Sequence, residues 1–151
     1  MKAILLLCIT LISVQATGQT KEDTLAIEKA AKDYVIGWAT ADINLIQGAV
    51  SPELSKRRVA AAGDLVYVQD MSRSLLCVAA ISNAKGVRMK DLTPGKELIQ
   101  IVKILDIDGI NASAKTWNEK YGFFDYIHLS KASGSWVIVN VLWDMNAAKQ
   151  E

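Results

Sequence analysis

The stretch Trp117-Asn-Glu-Lys-Tyr-Gly-Phe-Phe-Asp-Tyr-Ile-His-Leu-Ser-Lys-Ala-Ser-Gly-Ser-Trp-Val-Ile-Val-Asn-Val-Leu-Trp143 decides the fold. Two runs of branched and aromatic residues flank Ser133-Gly134, and such a pair reads as a β-hairpin in which glycine supplies the positive φ of a tight turn. Working outward, the period of two continues towards the N-terminus. Residues 98–107 and 110–118 read as strands about an Asp108-Gly109 turn, and residues 121–131 and 135–144 complete a meander of four.

Further upstream the period changes to that of a helix. Ile27, Ala30, Ala31, Tyr34, Val35 and Trp38 recur at intervals of three and four, with Glu28, Lys29, Lys32 and Asp33 outside the stripe, and Asp23 or Thr24 is placed to cap it. Asp42 caps a second, shorter helix with Ile43, Leu45, Ile46 and Val50 on its buried side. Ser51-Pro52 closes that helix, and the proline suits the start of a further turn. Residues 56–69 read as two short strands about a glycine turn. Asp70 caps a third helix over 71–83, with Met71, Leu75, Val78 and Ile81 or Ser82 inward. Residues 84–96 carry turn chemistry, crossed by an edge strand at 87–89. Helices first and strands after predict an α+β fold, three N-terminal helices packed into a strongly curved antiparallel sheet.

The first residues, Met1-Lys2 followed by an apolar run to Val14, are too short to span a bilayer and read as a secretory signal peptide, with Ala16 and Gly18 suiting cleavage before Gln19. The expectation is therefore a signal at 1–18, a single domain at 19–151, and export to the periplasm or the medium. Leu7 before Cys8 does not fit a lipoprotein signal. The formal charge is +1, which loss of Lys2 balances, so nothing draws this chain to nucleic acid or, after cleavage, to a membrane. Cys77 is the one cysteine outside the signal, and it reads as a small buried hydrophobe. With His128 the sole histidine, no zinc cluster of the usual spacing can be written, and neither metal nor cofactor is expected.

The turns predict which side chains share a face, because opposite residues in an antiparallel pair point the same way. With Ser133-Gly134, Lys120-Tyr121 and Asp108-Gly109 as two-residue loops, one face collects Ile101, Leu105, Ile110, Ala112, Ala114, Phe123, Ile127, Leu129, Ile138 and Leu142. Four polar residues join them: Lys103, Thr116, Asp125 and Asn140. The other face holds Ser113, Lys115, Trp117, Phe124, Tyr126, His128, Val137, Val139, Val141 and Trp143. The first, with its small alanines, is assigned to the inside. The aromatic-rich second, with Trp117, Phe124, Tyr126, His128 and Trp143, faces solvent or a partner subunit.

Polar groups on an apolar face need partners, since an unpaired one costs about 1–3 kcal/mol. Asp125 is the sharpest case: it is either satisfied structurally by Thr116, Asn140 or Lys103, or sits with Asn140 at the back of a pocket walled by Tyr34 and Trp38. Lys103 conflicts with this register: either a bulge turns Val102 and Ile104 inward, the favoured reading, or the Lys103 ammonium enters the pocket. Lys56-Arg57-Arg58 reads as a solvated strand end, and His128 as a hydrogen-bonded surface or interface residue.

At Tyr34-x-x-Gly37-Trp38 with Asp42 and Leu45, at Pro52-Glu53-Leu54 with Lys56-Arg57-Arg58, and at Asp125-Tyr126-Ile127-His128-Leu129 followed by Gly134 to Trp143, the chain resembles the putative lumazine-binding family. That family belongs to the nuclear-transport-factor-2-like (cone-like, SnoaL-like) superfamily. The resemblance implies three helices packed into a bent sheet, a cavity between them, and homodimerisation through the outer sheet face. Three functions stand open: an exported, non-enzymatic protein binding a small apolar or aromatic molecule at Tyr34, Trp38, Thr116, Asp125 and Asn140; a ketosteroid-isomerase- or polyketide-cyclase-like enzyme with Asp125 as its catalytic base; and an interaction domain whose core fills its own cavity.

Overall fold

The computed structural model describes residues 20–85, 100–118 and 122–145. The expected signal peptide, the expected edge strand at 87–89 and the expected Lys120-Tyr121 turn lie outside the described residues. Helices α1 (Lys21–Thr40) and α2 (Ile43–Ala49) are followed by strands β1 (Val50–Ala62) and β2 (Leu65–Met71). Then come helix α3 (Arg73–Lys85) and the meander β3 (Gln100–Asp108), β4 (Asn111–Asn118), β5 (Phe123–Ala132) and β6 (Ser135–Met145). Among the described residues six strands form one unclosed sheet in the order β2-β1-β6-β5-β4-β3, with β2 and β3 at its ends.

The α+β architecture with three helices on a sheet is the expected one, and the sheet is mixed. The β1–β2 and meander pairings are antiparallel, whereas β1 runs parallel to β6. β1 leaves α2 directly at Val50 and is far longer than the short strand expected. Ser51-Pro52 therefore lies in a strand and starts no helical turn. The β1–β6 register shifts between Val50 and Ser55, and proline is tolerated where the ladder is interrupted.

The cap of α1 is Thr20, one turn before Asp23 or Thr24, with the Thr20 hydroxyl accepting from Asp23 N at 3.0 Å. That leaves the Asp23 carboxylate for a long-range task. It accepts from Lys131 Nζ and Trp136 Nε1, both at 2.8 Å, tying the start of α1 to the β5–β6 hairpin. The Lys131 bond, then the Trp136 bond, hold this carboxyl well below the usual carboxylate range. A depressed acid stabilises the fold above its unfolded pKa, and that stabilisation is lost as pH falls below it. Thermal stability of the wild type should drop between about pH 5 and pH 2 more steeply than that of Asp23→Asn, compared by circular dichroism melts; parallel curves would exclude the tie.

Asp42 caps α2 as expected, its Oδ1 accepting from Asn44 N at 3.0 Å and Leu45 N at 3.1 Å. Packing of α2 on α1 requires Gly37. A Cβ there would lie 2.9 Å from Asp42 O, Ile46 N and Ile46 Cγ1, two of them backbone atoms that cannot rotate away. Overpacking costs about 1–3 kcal/mol, and alanine returns up to about 1 kcal/mol of helix propensity. Gly37→Ala should therefore lose about 1–2 kcal/mol in urea unfolding; a stabilised variant would contradict the close approach.

Helix α3 starts two residues later than expected, with Ser72 Oγ accepting from Leu75 N at 3.3 Å in place of an Asp70 cap. Its inner face carries Leu76 and Ala80, while Leu75, Val78 and Ile81 are exposed. Residues 75–81 are apolar almost all round, so periodicity could not choose the face.

In the meander, Ser133 (φ 51°) and Gly134 (φ 83°) form the left-handed two-residue turn, and Leu129 pairs with Ile138 as expected. The β4–β5 register also holds, with Thr116 opposite Asp125. Beyond Leu129 the β5–β6 register slips by one, placing His128 opposite Asn140 and Ile127 opposite Val141. Val139 is the extra residue, and every side chain after it changes face. Val141 and Trp143 turn inward; Asn140 and Leu142, the latter 52% exposed, turn outward. A bulge between Ile104 and Asp106 sets Val102 opposite Thr116 and Ile104 opposite Ala114, so both pack inward and Lys103 points out. Leu105 and Ile110, expected inside, are exposed.

Candidate functional site

Between α1, α3 and the inner sheet face lies a cavity of about 190 Å³, lined by Tyr34, Val35, Trp38, Lys56, Met71, Leu76, Ala79, Phe123 and Trp143. The α1 stripe sets Tyr34, Val35 and Trp38 on one side, one turn apart, and Trp38 meets Phe123 edge to face at 5.3 Å. α3 presents Leu76 and Ala79, and the bulge in β6 delivers Trp143. The wall is almost wholly apolar. Among the described lining residues the charged or hydroxyl-bearing ones are Lys56 and Tyr34.

Those two are anchored from behind. Lys56 Nζ donates to Asp125 Oδ1 at 2.7 Å and to Tyr34 Oη at 2.7 Å. Tyr34 Oη donates to the same Asp125 Oδ1 at 3.1 Å, and Thr116 Oγ1 donates to Asp125 Oδ2 at 3.2 Å. The Asp125 side chain is 0% exposed and that of Lys56 8%. Lys56 Nζ also sits 4.7 Å from the Trp143 ring centroid, with the Arg58 guanidinium 4.7 Å from the same ring.

Burial, partly offset by the adjacent Asp125 carboxylate, brings the Lys56 ammonium below its ordinary value. Burial, reinforced by the charge of Asp125, pushes the Tyr34 phenol well above its own, so it remains a neutral donor. Lys56 and Asp125 neutralise each other, so this pair brings no net charge to the cavity floor. The Tyr34 proton is committed to Asp125, so the donor beyond these bonds is the third N–H of the Lys56 ammonium.

Of the residues expected at a pocket, Tyr34, Trp38, Thr116 and Asp125 come together here. Tyr34 and Trp38 form wall, while Thr116 and Asp125 stand behind it. Asn140 does not join them: the bulge at Val139 carries it to the outer face, where its Nδ2 lies 3.1 Å from His128 Nδ1. Trp143 makes the opposite correction, moving from the expected outer set into the cavity wall. Trp117, Phe124, Tyr126 and His128 do share the outer face. There Lys115 Nζ lies 4.6, 5.0 and 4.9 Å from the ring centroids of Trp117, Phe124 and Tyr126.

Lys56 is the cavity-lining side chain that sequence reasoning missed. In Lys56-Arg57-Arg58 three cations hide the alternation, but Leu54, two residues earlier, is buried on the same face. The other signal was a buried Asp125 that loses its candidate base, Lys103, once the bulge in β3 turns that lysine outward.

Two larger depressions carry less chemistry. A groove of about 400 Å³ beside α1 and the β5–β6 hairpin is lined by Asp23, Lys131, Lys29 and Asp33, charges already ion-paired to one another. A shallow one of about 330 Å³ includes Asp106, Asp108 and His128. Among the described residues no group of acids, cysteine and histidine is arranged to hold a metal ion.

An α+β sheet-and-helix shell around a small apolar cavity, with polar groups gathered at its floor, is the form of a pocket protein. Residues 22–144 match the "putative lumazine-binding" family, to which the chain belongs. Solved structures share the fold. A nuclear-transport-factor-2-like protein of unknown function from Silicibacter pomeroyi is 17% identical, with a TM-score of 0.63 over 85% of this chain and 99% of that one. A second such protein, from Shewanella baltica, is 19% identical with a TM-score of 0.60 over 85% and 98%. A ketosteroid isomerase-like protein from Erwinia carotovora atroseptica is 18% identical with a TM-score of 0.54 over 83% and 98%. No curated protein matches the chain.

Proposed function

We propose that the protein is an exported, non-enzymatic carrier or receptor of a small neutral, largely aromatic molecule, held in the cavity with a polar atom against Lys56 and Tyr34. The observation that carries this reading is the neutralised pair of Lys56 and Asp125 beneath an apolar wall. Such a floor can hydrogen-bond a carbonyl or ring nitrogen without asking the guest for a charge, and a few convergent polar groups in an apolar cleft are the usual form of a ligand site. A cavity of about 150 Å³ accommodates benzene, so about 190 Å³ suits a guest of one or two rings.

The isomerase-like alternative, with Asp125 as base, is less favoured because that carboxylate is fully buried behind Lys56 and Tyr34. Titration with lumazine, a neutral two-ring compound, should change the fluorescence of Trp38 and Trp143, and Lys56→Met should weaken binding about tenfold, the worth of one hydrogen bond to a charged donor. Mass spectrometry of the protein purified from its native source should find one copurifying aromatic. An empty protein, unresponsive to lumazine and other small aromatics, would overturn the reading.

Two further parts of the reading stand on sequence and surface chemistry. Residues 1–18 act as the secretory signal, so the mature protein should begin at Gln19 by N-terminal sequencing. The aromatic outer face around Lys115 joins two copies, so Tyr126→Glu should convert a dimer to a monomer in sedimentation.

A further inference from the structure

Resting on the cavity as a ligand site, we propose that Lys56 is a carbonyl-trapping amine that condenses reversibly with a small apolar aldehyde or ketone, an aryl aldehyde being the class of guest that fits. Three observations meet at one atom. Lys56 lines the cavity, and its Nζ is held by the carboxylate of Asp125 and the phenol of Tyr34, each at 2.7 Å. The rest of the described lining is hydrophobic, and Trp143, Phe123 and Trp38 make it rich in aromatic rings suited to an aryl group. Desolvation of a lysine in an apolar pocket is a recognised way of turning an ammonium into a nucleophile, and burial lowers the Lys56 pKa in that sense.

The proton inventory closes within the site. The Lys56 ammonium passes one proton to Asp125 Oδ1, and the freed nitrogen lone pair forms a C–N bond to the carbonyl carbon. The carbonyl π pair moves onto oxygen, which takes a proton shed by the attacking nitrogen, giving a neutral carbinolamine. Nitrogen then expels that hydroxyl as water. The proton for the leaving oxygen returns from Asp125 through Tyr34 Oη, 3.1 Å away. Ammonium and carbonyl have become iminium and water, and Asp125 is again a carboxylate beside a cation. No oxidant, reductant or metal is needed. The buried carboxylate thus acquires a use that a neutral amine alone would not explain: it holds the proton between the two steps and stabilises the iminium afterwards.

The experiment uses the whole mature protein with benzaldehyde near neutral pH, cyanoborohydride to reduce the imine, and peptide mapping by mass spectrometry. The expected product is one reduced benzyl adduct per chain, on Lys56, formed faster than on any exposed lysine. Tyr34→Phe should slow trapping by about a hundredfold, the lower range for loss of a general acid. Because the adduct is mapped on the wild type, the result does not depend on a Lys56 variant folding. Label spread over surface lysines with Lys56 unmodified would overturn the proposal, as would an unchanged rate in Tyr34→Phe. Tryptophan quenching by benzaldehyde without a trapped adduct would overturn the imine and leave the binding site standing; neither quenching nor adduct would overturn both.

Discussion

Asp125→Ala is expected to lose about 3–5 kcal/mol of folding stability in urea unfolding, the usual result of leaving one member of a buried ion pair without its partner. In this protein the loss has several sources. Lys56 would remain in an apolar wall without a counter-charge, and Thr116 Oγ1 and Tyr34 Oη would lose their shared acceptor. Removing both charges together is different in kind. A well-packed apolar pair of similar volume is often neutral or stabilising, so Lys56→Met with Asp125→Leu should be more stable than Asp125→Ala alone. A loss below about 1 kcal/mol for Asp125→Ala would place the pair among solvated surface bridges and contradict its burial.

The pH dependence has a definite sign. Since Lys56 is depressed below 10.5, the unfolded chain binds more protons between the folded value and 10.5, so its contribution to stability grows with rising pH across that window. Tyr34 is raised above 10.0 and acts oppositely, because above 10.0 the unfolded chain releases a phenolic proton that the folded one keeps. In Asp125→Ala the lysine contribution should dominate, so that its deficit against the wild type shrinks as pH rises.

Ala79→Phe should abolish measurable ligand binding while the fold persists. Ala79 lines the cavity from α3, and a phenyl ring there would occupy much of a space that holds only one or two rings. A loss of at least about a hundredfold in affinity, near 2.7 kcal/mol, follows from excluding the guest. The backbone of α3 has no reason to move, since the new ring enters a void and meets aromatic neighbours. Fluorescence titration with lumazine reads the affinity, and a melt reads the fold. Retained affinity in Ala79→Phe would show that the guest sits elsewhere, with the groove beside Asp23 and Lys131 the next place to look.

Much of this architecture was legible because it rests on local rules. The α1 stripe, the Asp42 cap, the Ser133-Gly134 turn and the facing of Thr116 with Asp125 each follow from residues close in sequence or from one tight loop. On that basis Tyr34, Trp38, Thr116 and Asp125 could be placed near one another before any coordinates. The failures share another property. Asn140 and Trp143 were exchanged between faces by one extra residue at Val139, which leaves no mark in a strand where apolar side chains occur on both faces. The helix α3 was misphased for a similar reason, since Leu75 and Leu76 are equally apolar and only packing against α1, α2 and the sheet selects Leu76.

Lys56 belongs to a third kind. Its own segment presents it as one cation among three, and nothing local says that one of them is buried. What selects it is the parallel pairing of β1 with β6, which sets Lys56 opposite Val141, together with the need of a carboxylate sixty-nine residues away for a base. Taken alone, then, the order of residues determined the class of fold, most of the elements and one half of the buried pair, because periodicity and turn chemistry act over a few residues. Only the tertiary structure decided which lysine answers and neutralises Asp125 and which tryptophan closes the cavity, because those outcomes depend on strand register and on contacts between distant segments.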